Sequence, residues 1–297
     1  MPDVELFAAK LRRKALFYLE PWWLKGDLAR LEEASQGGTA SVVDPSSPVV
    51  VSLTTHGERL NSVHLTLESI GRGALKPRML ILWLDNPAVM DRLPEPVRRL
   101  MARGLEVRLT ENYGPHTKYF PYVMSEEDHR VALVTADDDI IYPVGWLHRL
   151  VTEGQRTPGM VVCYRAHEMA LDTSGRPKPY NTWMPCESKE ARPINFATGV
   201  SGVLYPPAYL NFARAQKDAF RAVCPRADDI WLHVLALRGG FAVRQLGRLP
   251  RHFPVIPNTQ HLGLVNSNFF ANGNDPQIAA TYTEADLSKL RHAGAPN

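Results

Sequence analysis

The first half of the chain alternates between continuous apolar runs and stretches with apolar residues on one helical face. Apolar runs rich in β-branched side chains are typical of strands buried on both sides. The strands predicted from such runs are 48–53, 79–84, 105–109 and 131–135. The intervals between them predict helices at 59–70, at 94–103 and near 118–124. Strands separated by helices favour an α/β fold with a mostly parallel sheet and helices on both faces.

The second half of the chain is less regular. The elements predicted there are a strand at 161–164, a helix at 228–237 that stops at Gly239-Gly240, and a short strand at 241–246. Residues 171–197 are rich in Pro, Asn and Ser and predict a loop with room for a hairpin, and residues 251–275 predict a second loop-rich segment. A regular half followed by an irregular half indicates one domain with two tasks.

The N-terminal segment, residues 1–34, predicts a helix in which apolar positions surround the basic run 10–14. A basic amphipathic helix followed by tryptophans can lie on a membrane surface. However, residues 1–34 hold six basic and six acidic side chains, and this balance favours a helix packed on the flank of the domain. With the flexible connector at 36–41, the pattern predicts a helical extension and linker over 1–45 and one domain over 46–297.

The composition excludes several classes of protein. With 297 residues, 44% hydrophobic and 22% charged, the chain is an ordinary globular protein and not a disordered, collagen-like or coiled-coil one. The net charge of +3 is too small to indicate a nucleic-acid partner. Three cysteines without CxxC spacing argue against a disulfide framework or a cysteine zinc site. No apolar run approaches the ~18–20 residues that span a bilayer and no signal peptide begins the chain, so we expect a cytoplasmic protein, with the inner membrane face as the alternative.

Three consecutive carboxylates, Asp137-Asp138-Asp139, directly follow the buried strand at 131–135. Open α/β sheets bind ligands in the crevice at the carboxyl ends of their strands. Clustered carboxylates repel one another unless a cation lies among them, and hard oxygen ligands suit Mg²⁺ or Mn²⁺. The alternative is a solvated acidic turn that also caps a helix starting near Pro143. The apolar strand before the triplet favours metal binding.

A second acidic pair, Asp228-Asp229, begins the helix predicted at 228–237. Asp at a helix N-terminus usually caps it, and we expect one of the two to do so. Two adjacent carboxylates exceed what a cap requires. The other is therefore a candidate general base.

Two loops and two histidines carry weaker signals. The loop 114–119 precedes a predicted helix whose backbone N–H groups, together with Lys118, could receive a diphosphate. The glycine-bearing loop 198–202 either lets a substrate approach the backbone closely or is a simple turn. His252 and His261 could complete a metal shell, the alternative being surface histidines. The sequence lacks the motifs of zincins, α/β-hydrolases and Rossmann dehydrogenases.

The order of these features resembles the GT-A glycosyltransferases, and most closely the bacterial enzymes similar to glycosyltransferase family 2. The resemblance covers roughly residues 48–250. It depends, in chain order, on the strand start at 50–55, Asp85, the acidic triplet, Gly199 and Asp228-Asp229. The Pro-x-Tyr-Asn that usually follows the first strand is replaced by the segment 54–59. The Gln-x-x-Arg-Trp motif of processive members is missing, which argues against a polymerising synthase.

The resemblance implies a GT-A fold and a role for each matching position. A nucleotide-sugar half would span 46–145 and an acceptor half 146–297. The residues that would hold the nucleotide-sugar are Thr54, Thr55, Arg59, Asp85, Lys118, Asp137 and Asp138. Those facing the acceptor would be Gly199, Ser201, Gly202 and Trp183, in an aromatic wall with Tyr180 and Met184. The metal ligands would be Asp139, Asp137 and His261, with His252 as the rival of His261. The general base would be Asp229, with Asp228 beside it.

The implied function is transfer of a sugar from a nucleoside diphosphate, with a UDP-sugar favoured, to a carbohydrate or lipid-linked acceptor in the synthesis of bacterial surface polysaccharide or glycoconjugate. An inverting mechanism needs one base and no carboxylate nucleophile, and a retaining mechanism stays open. One alternative is a sugar-phosphate nucleotidyltransferase, although its Gly-rich loop is not evident at 52–60. A non-catalytic carbohydrate-binding relative is the other, and the intact Asp139 and Asp229 argue against it.

Overall fold

Four parallel strands form the first half of the central sheet, as the hydrophobic pattern predicts. The computed structural model describes residues 23–259 and 273–294 of the chain. The four strands are β1 Val49–Thr54, β2 Met79–Leu84, β3 Leu105–Leu109 and β4 Ala132–Thr135. β1 pairs in parallel with β2 on one side and with β4 on the other, and β2 pairs with β3. All four predicted strands are confirmed.

Successive side chains of β1 pack into two separate apolar cores. Val50 belongs to the core on one face of the sheet, while Val49, Val51 and Leu53 belong to the core on the other. Alternation across the strand sends neighbouring residues to opposite faces. Because helices cover both faces, both sets are buried, and the strand has a continuous apolar sequence.

Six helices accompany these strands, and two of them begin later than predicted. They are α1 over 23–37, α2 Val63–Gly71, α3 Pro87–Met90, α4 Glu95–Met101, α5 Phe120–Ser125 and α6 Trp146–Arg156. The predicted first turn of α2 is a separate 3₁₀ helix, Gly57–Asn61, because a distant ion pair between Arg59 and Asp138 overrides the local pattern. α5 begins after the 3₁₀ helix Gly114–Lys118, since Pro121 fits only in a first helical turn.

The remaining strands complete one large sheet and form a small second one. They are β5 Val161–Cys163, β6 Ala166–Glu168, β7 Met184–Pro185, β8 Asn195–Ala197, β9 Val203–Tyr205 and β10 Val243–Gln245. The seven-stranded sheet has the order β10-β5-β9-β4-β1-β2-β3, and only β9 runs antiparallel to its neighbours. The order of the small antiparallel sheet is β7-β6-β8, so the segment predicted as a loop with a hairpin contributes two strands to it.

The helices of the second half pack around a buried central helix. They are α7 Pro207–Ala215, α8 Phe220–Val223, α9 Asp228–Gly239, α10 Asn274–Thr281 and α11 Glu284–Gly294. Every residue of α9 from Ile230 to Leu237 is buried, and α10 and α11 pack against it. α9 ends where Gly240 adopts a left-handed conformation with φ of 76°, as the Gly239-Gly240 pair predicts. In the part of the chain that the structure describes, no helix is long and apolar enough to cross a membrane.

The helix α1 is attached to the domain by both its apolar and its polar face. Leu31 is almost fully buried in a small apolar cluster. The two carboxylate oxygens of Asp27 each accept a hydrogen bond from the Arg72 guanidinium at 2.6 Å. This fork-to-fork pairing fixes the helix direction. Residues 1–22 lie outside the described residues, and membrane contact through the N-terminal segment stays a prediction.

Candidate active site

Polar residues from distant parts of the chain meet at one edge of the sheet. Thr55, Asp85 and Asp137 follow β1, β2 and β4, whose parallel pairing places their carboxyl ends together. β9 is antiparallel, so the loop that precedes it, with Gly199, reaches the same edge. The backbone N–H of Gly199 donates to Asp229 Oδ1 at 2.9 Å, which brings the start of α9 to this edge as well. These residues form the candidate active site.

Lys118 is the central cation of this site. Its Nζ donates to Asp137 Oδ1 at 2.9 Å and lies 3.4 Å from Asp228 Oδ2. Burial by itself lowers the pKa of the Lys118 ammonium, but the charges of Asp137, Asp228 and Asp229 together hold it well above its usual range. Lys118 therefore stays protonated and neutralises part of the acidic group.

Buried hydrogen bonds fix the backbone of Lys118. Trp83 Nε1 donates to Ser52 Oγ at 2.9 Å, and the Ser52 hydroxyl donates to the Lys118 carbonyl oxygen at 2.7 Å. His116 Nε2 bonds to the Cys224 carbonyl oxygen at 2.7 Å, and burial lowers the pKa of this imidazole to about 4, so the ring is neutral. The segment 114–119 thus positions the Lys118 ammonium, and its predicted contact with a diphosphate stays a prediction.

Neither Asp228 nor Asp229 caps α9, although one was expected to do so. The N-cap residue is Ala227, and no side chain makes a capping hydrogen bond there. Asp228 faces Lys118, and Asp229 accepts the Gly199 N–H. Both carboxylates still lie in the first turn of the helix, where the helix dipole favours negative charge. The structure therefore directs both into the site.

Among the carboxylates of this site, Asp229 has the pKa that its surroundings shift most. Burial, reinforced by the charge of Asp228, raises the pKa of Asp229 to about 8, and the nearby Lys118 opposes this only in part. Once it is ionised, a carboxylate with a raised pKa accepts a proton more readily than a solvated one. This is the property that a general base requires.

Asp138 and Asp139 face a second cation, Arg59. Arg59 Nη1 donates to Asp138 Oδ1 at 2.8 Å, and its Nη2 lies 3.2 Å from Asp139 Oδ2. The Thr55 hydroxyl donates to the other Asp138 oxygen at 2.6 Å. Both oxygens of Asp138 are thus engaged within the protein. In this structure Asp138 connects Thr55 and Arg59 to the acidic triplet, and its predicted contact with the nucleotide-sugar stays a prediction.

The carboxylates of this edge fit a divalent cation that is shared with phosphate. Burial, and to a lesser extent the charge of Asp137, raises the pKa of Asp139 to about 6, while Arg59 opposes this shift. Within 23–259 and 273–294, no group of three or more His, Cys, Asp and Glu side chains is placed to hold a metal ion. Mg²⁺, however, is commonly held by one or two carboxylates together with substrate phosphates. Asp137 and Asp139 match that donor set.

Thr54 and Asp85 lie where the nucleotide is expected. The Thr54 hydroxyl donates to the Trp83 carbonyl oxygen at 3.1 Å, which ties the ends of β1 and β2 together. The Asn112 amide donates to Asp85 Oδ2 at 2.5 Å. Asp85 remains partly exposed. Both residues are at the predicted edge of the sheet, and their contact with a base or ribose stays a prediction.

Gly199 is the acceptor-side residue closest to the charged groups. A Cβ at this position would lie 3.2 Å from Asp229 Oδ1 and 3.5 Å from Lys118 Nζ. The distance to Asp229 Oδ1 is tight for a methyl group, whereas the distance to Lys118 Nζ is an ordinary contact. The absence of a side chain therefore leaves the Asp229 carboxylate uncrowded, and the predicted contact of Gly199 with an acceptor stays a prediction.

Ser201 and Gly202 shape the loop that carries Gly199. Gly202 has φ of 95°, and a Cβ there would lie 2.6 Å from the Trp146 ring. The Trp146 indole N–H donates to the Ser201 carbonyl at 2.9 Å, and the Ser201 hydroxyl donates to the Arg251 carbonyl at 2.6 Å. In the structure both residues hold the loop in place, and acceptor contact through them stays a prediction.

Trp183 lies in the interior and not on an open wall. Its side chain is 3% exposed, its indole N–H donates to the Lys178 carbonyl at 2.9 Å, and its ring packs on Tyr180 and Phe196. A ring covered in this way supports its neighbours and presents no face to a sugar. Met184, by contrast, is 69% exposed.

Arg165 is a site residue that the sequence analysis missed. Its Nη1 donates to the Thr198 hydroxyl at 2.7 Å, and its Nη2 lies 2.9 Å from His167 Nε2. Burial lowers the pKa of the Arg165 guanidinium, while the charge of Asp229 partly offsets this. Arg165 follows β5 at the same sheet edge, so the rule that identified the acidic triplet also applies to it.

The two candidate metal histidines differ in what can be said of them. His261 lies outside the described residues, so its predicted role stays a prediction. His252 is described and exposed, and its charge contributes to the lowered pKa of His167. Its part in a metal shell likewise stays a prediction.

Comparison with solved structures identifies the fold. The mannosyltransferase PcManGT from Pyrobaculum calidifontis, in complex with GDP-Man and Mn²⁺, superposes with a TM-score of 0.51 at 14% identity, covering 97% of this chain and 80% of that one. S. aureus TarS 1-349 superposes with a TM-score of 0.46 at 12% identity, over 82% of this chain and 71% of that one.

A CMP:2-keto-3-deoxy-manno-octonic acid synthetase complexed with CTP superposes with a TM-score of 0.42 at 10% identity, over 76% of this chain and 99% of that one. No protein-family model matches the sequence, and no curated protein sequence matches it. The similarity to the mannosyltransferase confirms the predicted fold class, a mixed α/β fold with a mostly parallel central sheet. Membership of family 2 stays a prediction.

Proposed function

We propose that this protein is a metal-dependent, inverting glycosyltransferase that moves a sugar from a nucleoside diphosphate, with a UDP-sugar favoured, to a hydroxyl of a carbohydrate or lipid-linked acceptor. Its setting would be the synthesis of a bacterial surface polysaccharide or glycoconjugate. The observation that carries the proposal is the meeting of Asp229, Lys118 and Asp137 at the carboxyl edge of the parallel strands. The proposed base, a buried cation and the carboxylate proposed to bind the metal would thereby share one small space.

The proposed reaction is a single displacement at the anomeric carbon. The acceptor hydroxyl attacks from the face opposite the diphosphate, and the Asp229 carboxylate takes the hydroxyl proton as the new C–O bond forms. The bond to the diphosphate oxygen breaks, and its electron pair leaves with the diphosphate. One such step inverts the anomeric centre and needs no carboxylate nucleophile.

The other groups of the site would bind and orient the donor. A divalent cation held by Asp137 and Asp139 would supply positive charge for the leaving diphosphate. Lys118, which is fixed beside Asp137, would add a second positive charge on the same side. Arg59 and Thr55 hold the acidic triplet in position, so they act on the donor through Asp138 and Asp139.

Thermal unfolding with nucleotides tests the donor half of this proposal. UDP, GDP, CDP, ADP and TDP are each added with Mn²⁺, with Mg²⁺ or with EDTA. A ligand at 100-fold its Kd stabilises a protein by ~2.7 kcal/mol, which raises the unfolding midpoint measurably. We expect one nucleotide, UDP first, to give a shift that EDTA abolishes. Asp137→Asn should lose the shift, while Asp91→Asn, an exposed carboxylate outside the site, should keep it.

Turnover then separates the proposed activity from its alternatives. A glycosyltransferase releases nucleoside diphosphate from the matching nucleotide-sugar when an acceptor is present. A sugar-phosphate nucleotidyltransferase instead consumes a nucleoside triphosphate and releases pyrophosphate. A non-catalytic carbohydrate-binding relative does neither. Pyrophosphate release, or a panel without any nucleotide-dependent shift, would contradict the proposal.

A further inference from the structure

A second concave surface lies next to the candidate active site and is lined by basic side chains. The cavity has a volume of about 450 Å³, within the ~300–1,000 Å³ typical of small-molecule sites. Four parts of the chain form it: one face of α6, Tyr164 after β5, Lys189 and the loop after β10. We call it the basic cavity. Its lining residues with ionisable side chains are His148, Arg149, Glu153, Arg156, Tyr164, Lys189, Arg248 and Arg251.

The charge of the basic cavity is strongly one-sided. Four arginines and a lysine line it, and Glu153 is its single lining carboxylate. Glu153 is already engaged, because Arg244 Nε, which is not among the lining residues, donates to it at 2.6 Å. The lining residues thus include five cations and one carboxylate. A wall with more positive than negative groups attracts an anion that carries more than one charge.

The walls of the basic cavity are held by hydrogen bonds within the protein. Arg244 Nη1 donates to the Lys189 carbonyl at 2.6 Å, so one arginine connects α6, β10 and the Lys189 loop. The Arg251 N–H donates to the Tyr164 carbonyl at 3.0 Å. The Tyr164 hydroxyl donates to the Trp146 carbonyl at 2.9 Å. Because these hydrogen bonds already connect its walls, the cavity needs little rearrangement before it binds a ligand.

We propose that the basic cavity binds a phosphate-bearing ligand through Arg149, Arg156 and Lys189. Arginine forks match the geometry of phosphate oxygens and bind them in a bidentate manner, and several of them together suit a doubly charged phosphoryl group better than a single carboxylate. The phosphate can belong to a soluble molecule or to a lipid headgroup. The proposal concerns a site separate from the sugar-transfer machinery and stands without it.

The basic cavity and the candidate active site share a stretch of backbone. Tyr164 lines the cavity, and the next residue, Arg165, bonds to Thr198 at the active site. The Ser201 hydroxyl donates to the carbonyl of Arg251, which also lines the cavity. A ligand in the cavity thus lies beside the loop that carries Gly199. This position suits the phosphate-bearing part of a molecule whose other end reaches the site.

Calorimetric titration with inorganic pyrophosphate tests the proposal for a soluble ligand. The cavity variant is Arg149→Gln with Arg156→Gln, two exposed arginines on α6. The matched control is Arg92→Gln with Arg98→Gln, which removes the same charge from the exposed surface around α4. We expect the wild type and the control to bind pyrophosphate alike and the cavity variant to bind about tenfold more weakly or worse. Any binding that all three proteins share belongs to the active site.

Sedimentation with vesicles tests the proposal for a lipid ligand. The same three proteins are mixed with vesicles of phosphatidylglycerol and phosphatidylcholine, and with phosphatidylcholine alone as the uncharged reference. Loss of vesicle binding in the cavity variant but not in the control would assign the phosphate to a lipid headgroup. The proposal is overturned if the wild type binds neither probe, or if the cavity variant binds both as the control does. Equal unfolding midpoints of the three proteins confirm that folding is unaffected.

Discussion

The candidate active site and the basic cavity lie next to each other and use charge in opposite ways. In the active site, Asp228 is 7% exposed, and the side chain of Lys118 is 13% exposed. In the cavity, Arg149 and Arg156 are exposed on a helix surface. Buried charges act on one another at short range and shift each other's pKa values, whereas exposed charges are screened by water and salt. Burial, and not the number of charged groups, therefore distinguishes these two regions.

Removal of the proposed base should have the largest effect. Asp229→Asn keeps the size of the side chain and its hydrogen bond to the Gly199 N–H but cannot accept a proton. General-base catalysis typically contributes ~10²–10⁴ in rate, so we expect sugar transfer to fall by that factor. The measurement is release of nucleoside diphosphate under saturating donor. Asp218→Asn, an exposed carboxylate, should keep the wild-type rate, and equal rates in the two variants would contradict the assigned role.

Loss of the central cation should destabilise the fold. Lys118→Met leaves Asp137, Asp228 and Asp229 without their compensating charge, and removal of one partner of a buried pair costs about 3 kcal/mol. Urea unfolding measures the change in the free energy of unfolding. Lys189→Met, at the exposed cavity wall, should change it by less than about 0.5 kcal/mol. If the two variants lost similar amounts of unfolding free energy, burial would not explain the difference between the active site and the cavity.

Two glycines of one loop should separate stability from activity. Gly202→Ala places a methyl 2.6 Å from the Trp146 ring and demands φ of 95°, so we expect a loss of about 1–3 kcal/mol in unfolding free energy. Gly199→Ala meets only the charged atoms of the site, at 3.2 Å from Asp229 Oδ1. It should lower kcat/KM with a smaller change in stability. If Gly199→Ala lost more unfolding free energy than Gly202→Ala, Gly199 would have a structural role instead.

The pH dependence should report the elevated pKa of Asp229. The base must be ionised, so kcat/KM should rise as the pH increases through about 8. Asp228→Asn removes the neighbouring negative charge, so the midpoint of that rise should move to lower pH. An unchanged midpoint would assign the titration to another group.

The raised pKa of Asp229 should also make the stability of the fold depend on pH. Stability should fall as the pH rises, whereas activity should increase. Because the pKa of Asp229 is higher in the folded than in the unfolded protein, the folded state binds the proton more tightly. The free energy of unfolding should therefore fall as the pH rises from about 4 to about 8. Asp229→Asn should reduce this slope.

Features that depend on local periodicity could be predicted from the sequence. Helices cover both faces of β1, so successive residues of the run at 48–53 must be mostly apolar. This run of apolar residues can be recognised in the sequence. The position of Asp137 to Asp139 at the carboxyl edge follows from the strand before them. The end of α9 at Gly240 follows from the left-handed conformation that glycine tolerates.

Features that depend on distant contacts could not be predicted in this way. The helix predicted to begin at Arg59 starts later because Arg59 pairs with Asp138, 79 residues away in the chain. Asp228 and Asp229 look like caps in the local sequence, but Lys118 and the Gly199 N–H bind them instead. Trp183 resembles a sugar-stacking residue, and the aromatic rings of the second half bury it.

The sequence by itself thus determined the parallel sheet, its carboxyl edge and the acidic residues at that edge, since each is set by a pattern within a few neighbouring positions. Only the tertiary structure decided which carboxylate has a raised pKa, which cation neutralises its neighbours, and that a basic cavity adjoins the site. Burial and charge pairing depend on residues that are far apart in the chain. Their effects become visible only when the fold brings those residues together.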